Sequence, residues 1–223
     1  MTNNNDVPKM PSMKHLPWSE EDARQQKWLS MENVKEIFKG NKVVMLEKLD
    51  GSNACLTQEK VYARSHSGEP HREEWDYLKR KHRNDIRYKI PEDMAVFGEY
   101  LYARHSIKYT DLPAYFVVFG VYSKSLDAWY DWEATKAVAE KLDLPHAPEL
   151  GGAYFGAFDW ENRDPEGTSE YGDTREGYVV RKVKAFRRDA LHTHMAKCVR
   201  ENHVRTEELH WRKGGETDTN DLA

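Results

Sequence analysis

Apolar residues along the chain fall into short runs separated by longer polar stretches, and the runs have two different periods. Val43–Val44–Met45–Leu46 is continuous and closed by the polar Glu47–Lys48–Leu49–Asp50, the signature of a strand buried on both faces. Ala54 to Thr57 and Val61 to Arg64 predict a hairpin turning through Gln58–Glu59–Lys60. Ala95 to Ala103 and Tyr115 to Tyr122 are aromatic and β-branched, as central strands are. Gly177 to Val183 and Met195 to Val199 are further strands, separated by a short helix over 185–193. Helical spacing occurs three times. Ala23, Trp28, Leu29, Val34 and Phe38 predict one or two helices between Glu20 and Lys39, stopped by Gly40. Trp75 and Leu78 lie on a highly charged, exposed helix over 73–85, and Asp131 caps a helix carrying Ala134, Val138 and Leu142 on one face, ended by Pro145. Gly151, Gly152 and Gly156, with the polar run 161–173, predict a long irregular connection. Strands and helices in this mixture give an α+β fold with antiparallel sheets.

A length of 223 residues suits one domain. The polar, proline-interrupted start reads as a flexible arm over 1–19, the folded domain as 20–212, and 213–223 as a polar, frayed tail. No stretch is apolar enough to span a bilayer and the N-terminus lacks the apolar core of a secretory signal, so a cytoplasmic protein without membrane partners is expected. Cys55 and Cys198 lie far apart without a CxxC partner, and read as small buried side chains. His192, His194, His203 and His210 lack the spaced third ligand of a zinc site.

A net charge of −4 argues against a protein that holds nucleic acid by overall basicity. Local basic runs remain at 79–83 and 181–188, each with aromatics nearby, the combination used by grooves that track a sugar-phosphate backbone. Either run could equally be a solvated helix face or strand edge. The segment 201–211 is a candidate for covering a site or touching nucleic acid.

The densest chemistry sits at Glu47–Lys48–Leu49–Asp50–Gly51–Ser52–Asn53, where an apolar strand gives way to a polar turn and a lysine can project into a cleft. Alone, Lys-x-Asp-Gly is ordinary turn chemistry. Its weight comes from five further motifs downstream, in this order: Ala63–Arg64–Ser65, Phe97–Gly98–Glu99–Tyr100, Phe119–Gly120–Val121–Tyr122, Glu176–Gly177–Tyr178–Val179–Val180–Arg181 and Ala196–Lys197–Cys198–Val199–Arg200. This ordered set resembles the covalent lysine nucleotidyltransferase superfamily of ATP-dependent DNA and RNA ligases and capping enzymes, over about 43–200. Its form is most similar to the RNA ligase 2-like branch.

The resemblance implies an ATP-grasp-like adenylyltransferase domain: two antiparallel sheets flanked by helices, with a nucleotide cleft between them. DNA ligases and capping enzymes normally follow the last motif with an OB domain, which the roughly 23 residues after it here are too few to form, so no C-terminal OB domain is expected. It implies an ATP-dependent RNA ligase, with Mg²⁺ or Mn²⁺, that joins 3′-hydroxyl and 5′-phosphate ends through lysyl-AMP in nucleic-acid repair or sealing. Its partners would be RNA ends or a nicked duplex, with DNA-containing duplexes a further possibility, and it would act as a monomer. By the same resemblance Lys48 is the nucleophile. Glu47 reads the adenine edge, Arg64 and Glu99 contact ribose or phosphate, and Phe119 stacks on the base. Glu176 and Lys197 handle metal or ribose and the α-phosphate respectively, Glu99 and Glu176 are the metal ligands, and Asn53 lies near the nucleic-acid ends. Asp50 divides between function and a turn acceptor for its own backbone.

Elementary chemistry supports the lysine. An attacking amine must be neutral, and at a pKa of about 10.4 only roughly one in a thousand is so at neutral pH. Cationic neighbours, Arg64, Lys197 and the metal, are expected to lower it. One departure stands out: where related ligases carry Lys-x-Lys, this chain has Lys197–Cys198–Val199, and strand alternation puts Arg200 on the other face. A minimal DNA ligase and a non-catalytic nucleic-acid-binding relative are the competing readings.

Overall fold

A computed structural model describes residues 7–19, 28–66, 68–157, 164–200 and 217–223. Two sheets face one another. The first has strand order β1 (Lys14–His15), β11 (Met195–Val199), β9 (Gly177–Lys182), β2 (Lys42–Lys48), β8 (Glu149–Tyr154). The second runs β10 (Phe186–Arg187), β7 (Ala128–Trp129), β6 (Phe116–Ser123), β5 (Met94–Tyr100), β3 (Ser52–Leu56), β4 (Val61–Ala63). All pairings are antiparallel except β1 with β11.

Alternation along β2 assigns the faces. Val43 and Met45 join Tyr178, Val180, Ala196 and Cys198 under helix α1 (Met31–Phe38), which contributes Val34 and Phe38. Val44 and Leu46 point the other way, into a cluster with Val117, Tyr109 and Trp132 between the sheets. A second inter-sheet cluster gathers Phe97, Tyr122, Trp129, Val179 and Met195. The outer face of the second sheet is covered by α2 (Asp76–Lys81) with its flanking turns, and by α3 (Trp132–Lys141).

The helices begin where capping chemistry places them. Ser30 Oγ accepts the Asn33 N–H at 3.1 Å while Asn33 Oδ1 accepts the Ser30 N–H at 3.2 Å, a reciprocal cap for α1. Asp131 Oδ1 accepts the Ala134 N–H at 2.8 Å at the start of α3. The charged segment around α2 is amphipathic rather than wholly exposed: Trp75, Leu78, His82 and Ile86 are all buried. Of the helical stretch expected from Glu20, the part over 20–27 lies outside the described residues.

Three other expectations differ from the fold. Residues 14–19 are built in rather than loose, with β1 pairing against the edge of β11 and His15 and Leu16 fully buried, which closes an otherwise open sheet edge. The supposed irregular stretch contains β8, hidden in the sequence because glycine is depleted in strands. Residues 217–223 dock against the 101–112 connection instead of fraying, with Asn220 buried.

Arg181, expected on a basic surface run, is 1% exposed and ties the sheets together. Its Nη1 donates to the Phe119 carbonyl at 3.0 Å and its Nη2 to that of Tyr130, with the guanidinium 5.4 Å from the Trp132 ring centre. Burial pulls its pKa down to about 10, opposed by the charge of Asp131, so it remains charged at neutral pH.

Gly177 opens β9 at φ +153°, and a Cβ there would lie 2.1 Å from the Cys198 carbonyl oxygen. Gly177→Ala is expected to cost at least about 2 kcal/mol of unfolding free energy. Gly156, with no atom within 4 Å of a built Cβ, is the matched control. Urea unfolding midpoints of the two alanine variants check this, with a clear drop for the first and little change for the second.

Candidate active site

The candidate nucleophile sits where the chain crosses from one sheet to the other. Lys48 ends β2, three residues make the crossing, and Ser52 opens β3. Following the alternation of Val44 and Leu46, the Lys48 side chain points between the sheets, where Nζ donates to Glu176 Oε2. Glu176 is placed by register, because Lys48 lies opposite Gly177 across β2 and β9. The lysine side chain keeps 22% exposure while Glu176 keeps 4%, so solvent reaches the pair at the lysine.

The facing wall is the second sheet. Glu99 on β5 lies opposite Asn53 on β3 and Val117 on β6, and its Oε1 accepts the Gly51 N–H at 3.2 Å. That contact requires a glycine: a Cβ at Gly51 would stand 2.6 Å from the Tyr100 carbonyl oxygen. Asn53 Oδ1 is buried and makes no hydrogen bond among the described residues.

Electrostatically the cluster has too many carboxylates. Burial pushes Glu99 up to about 8; the Lys48 charge opposes this, and those of Glu176 and Asp50 reinforce it. For Lys48, burial acts downward, but Glu176, Glu99 and Asp50 outweigh it and hold the amine above its ordinary value. The cationic surroundings expected for Lys48 are therefore not what the fold supplies. The reason is local: Glu176 bonds Nζ and the charge of Glu99 acts on it, whereas Arg64 is exposed and its Nη2 donates to Ser12 Oγ at 3.1 Å.

Lys197 on β11 lies opposite Val179 on β9, itself opposite Leu46 on β2, so Lys197 occupies the inter-sheet face. Val199 shares that face by alternation, and Arg200 follows the end of β11, its backbone N–H donating to the Glu176 carbonyl at 3.0 Å. Phe119, half-buried, packs against both inter-sheet clusters, one of which contains Val179.

Glu47 is placed on the opposite face from Lys48. Its carboxylate accepts from Ser169 Oγ at 2.6 Å and from the Glu170 N–H at 3.0 Å. Burial raises its pKa against the pull of those two bonds and of Arg175. Both oxygens thus pin the 169–171 turn, a use that alternation from Lys48 allows but no local motif announces. Asp50 is an acceptor, though not for its own turn: Oδ2 takes the Ser106 N–H at 2.8 Å, the Ser106 hydroxyl at 2.6 Å and the Ile107 N–H at 3.1 Å. The Asp50 N–H donates to the Tyr109 hydroxyl at 2.8 Å. Tyr109 and Ser106 were invisible to motif reading because they lie in an irregular connection.

Among the described residues no group of three or more His, Cys, Asp or Glu is arranged to hold a metal. Glu99, Glu176 and the unpaired Asn53 Oδ1 are nevertheless hard oxygen donors facing one space, with surplus negative charge. That set suits Mg²⁺ or Mn²⁺ held jointly with phosphates, not a closed protein cage. His194 stacks on Phe186 at 4.7 Å, while His203, His210 and the segment 201–211 lie outside the described residues.

Solved structures of the same fold include a Naegleria gruberi RNA ligase with PPi, at a TM-score of 0.58 and 17% identity, covering 87% of this chain and 56% of that one. A mutant of that ligase with ATP and Mn matches at a TM-score of 0.60 and 15% identity over the same shares. An archaeal ATP-dependent RNA ligase matches at 0.55 and 14%, covering 86% of this chain and 48% of its own. The chain thus spans about half the length of these ligases. No curated protein sequence matches it. The family model described as RNA ligase aligns with residues 41–199, from just before β2 to the end of β11, and on that span the chain belongs to the RNA ligase family.

Proposed function

We propose that this protein is an ATP-dependent RNA ligase that takes AMP onto Lys48 and uses it to join a 5′-phosphate to a 3′-hydroxyl. The observation that carries the reading is the lysine amine at the end of β2, paired with Glu176, in the field of Glu99 and still partly open to solvent.

In the resting arrangement Glu176 stores the amine as an ammonium. Glu99 and Glu176 are the side chains that would hold Mg²⁺ or Mn²⁺ beside the triphosphate, and the bound ion supplies charge neutralisation on the phosphates. Once the Glu176 carboxylate leaves Nζ, the largest charge opposing burial is gone and only those of Glu99 and Asp50 remain, so the pKa of Lys48 falls, its proton passes to solvent water, and the lone pair becomes available. Nζ then forms a bond to the α-phosphorus as the bond to pyrophosphate breaks. Lys197, on the same face two strands away, is placed to meet the α-phosphate charge. Phe119 and Val179 offer apolar surfaces for the base, where stacking contributes about 1–3 kcal/mol. In the second step a 5′-phosphate oxygen takes AMP from Nζ, and in the third the 3′-hydroxyl attacks that phosphate and releases AMP.

A strand must also be held outside the cleft. Arg83, Tyr88 and Lys89 are exposed at the end of the α2 segment, with Tyr88 at 77% and the Arg87 guanidinium 5.1 Å from its ring centre. Cations beside an open aromatic face suit a single-stranded backbone. Among the described residues no helix is long and apolar enough to cross a membrane.

Incubation with α-labelled ATP and Mg²⁺, followed by denaturation, is expected to leave label on the wild-type protein and none on Lys48→Ala. Addition of nicked duplexes to the native labelled protein is expected to discharge it into sealed RNA. Sealing of DNA alone would make this a minimal DNA ligase, and absence of label from any nucleotide would overturn the assignment in favour of a binding role.

Glu99 sets a pH dependence. Because its folded-state value, about 8, is above the ordinary carboxylate value, the proton is held up to that pH and the cation must displace it. Mn²⁺ affinity of the nucleotide-free protein is expected to rise about tenfold per pH unit below 8 and to level off above it. Glu99→Gln is expected to flatten the profile, as titration calorimetry at several pH values would show.

A further inference from the structure

The connection between β5 and β6, residues 101–115, has no regular pairing of its own, yet it carries the groups that hold the Lys48 turn. Ser106 and Ile107 donate to Asp50 Oδ2, and the Tyr109 hydroxyl accepts the Asp50 N–H. Asp50 is two residues from Lys48, and the next N–H, that of Gly51, is bound by Glu99. Whatever fixes this connection therefore fixes the nucleophile relative to Glu99.

Residues 217–223 do so from the other side. The Arg104 N–H donates to the Asp218 carbonyl at 2.8 Å, the Asn220 N–H to that of Tyr102 at 3.0 Å, and the Asp221 N–H to that of Tyr109 at 3.0 Å. Leu112 and Ala223 complete the strap, the Leu112 N–H donating to Asp221 and the Ala223 N–H to Leu112. Asn220 closes it. Its side chain, 1% exposed, accepts the Tyr109 N–H on Oδ1 at 2.9 Å and donates from Nδ2 to the Leu101 carbonyl at 2.7 Å, clamping the start of the connection to its middle. No other side chain of the same size presents an acceptor and a donor in that geometry.

We propose that the 217–223 strap, through Asn220, is a positioning device for the Lys48 nucleophile. The path runs from Asn220 to Tyr109, from Tyr109 to Asp50, and along two peptide units to Lys48. The proposal rests on the lysyl-AMP reading for its catalytic consequence, while its geometric content concerns Lys48 alone.

The test combines three forms of the full protein: wild type, Asn220→Ala, and Tyr109→Phe, which removes only the hydroxyl between the connection and Asp50. A chain ending at residue 216 with the peptide of residues 217–223 added in trans guards against a folding failure of the first variant. Single-turnover lysyl-AMP formation at saturating ATP is expected to fall at least tenfold in both point variants, with ATP affinity changed less than threefold. The peptide is expected to restore the truncated chain in a saturable manner. Independently, the rate at which an amine-acylating reagent modifies Lys48, read by mass spectrometry, is expected to rise at least threefold in both variants as the turn loosens from Glu176. Unchanged transfer and unchanged Lys48 acylation in folded variants would overturn the proposal, as would a peptide that binds without restoring the rate. If the wild type takes no label at all, the ligase reading fails, and the acylation rates alone decide whether the strap positions Lys48.

Discussion

One ammonium lies in the field of three acidic side chains in the gap between two sheets, and most of the surrounding structure serves to keep that imbalance in place. Glu176 is brought there by the β2 and β9 register, Glu99 by the pairing of β3 with β5, and Asp50 by the crossing that joins the sheets. The proton on Glu99 and the bond from Gly51 relieve part of the charge, and Lys48 the rest. Under the proposed function, a site so built is poor at rest and becomes good when a divalent cation and a polyphosphate arrive together, since each supplies the charge that the other and the protein lack.

The walls of the gap are held at a set spacing by groups that do not touch the chemistry. Arg181 reaches from β9 to the carbonyls of Phe119 and Tyr130, so the position of the half-buried aromatic follows that of the opposite sheet. A buried guanidinium bound to carbonyl oxygens and stacked on Trp132 is costly to assemble and costly to break, which favours one spacing over a range of looser ones. Glu47 does comparable work on the outer side, holding the 169–171 turn through both oxygens and so steadying the stretch that leads into Glu176.

Much of this was legible in the chain. Strong periodic signals gave β2, the β3–β4 hairpin, β5, β6 and α3, because capping residues and continuous apolar runs are local properties. Lys48, Glu99, Glu176 and Lys197 could be named from the order of their motifs, and the fold places all four on the surfaces that face each other across the gap. What was not legible is non-local. The side to which Glu47 points follows from alternation, but its partners lie in a turn far along the chain. The parallel pairing of β1, the strand made of glycines at β8 and the docking of a seven-residue polar segment all depend on distant edges and carbonyls that leave no mark on their own composition. The charges around Lys48 were misjudged for the same reason: residue order ranks Arg64 and Lys197 as neighbours, whereas register puts carboxylates nearest.

The topology also decides when the cleft can come into being. In the second sheet β3, β4, β5, β6 and β7 pair largely with their neighbours in sequence, so most of it can form as soon as residues 52–129 are free. The first sheet has no such route: Val43 waits for Lys182, and Lys14 for Ala196. On a growing chain, then, the apolar strand that ends in Lys48 is made early and completed last, and closing its long loops before any reward makes this the slow half of folding. The exposed Val43–Leu46 edge is the segment most open to misassociation in the interval, and Lys48 meets Glu176 only once β9 has been made.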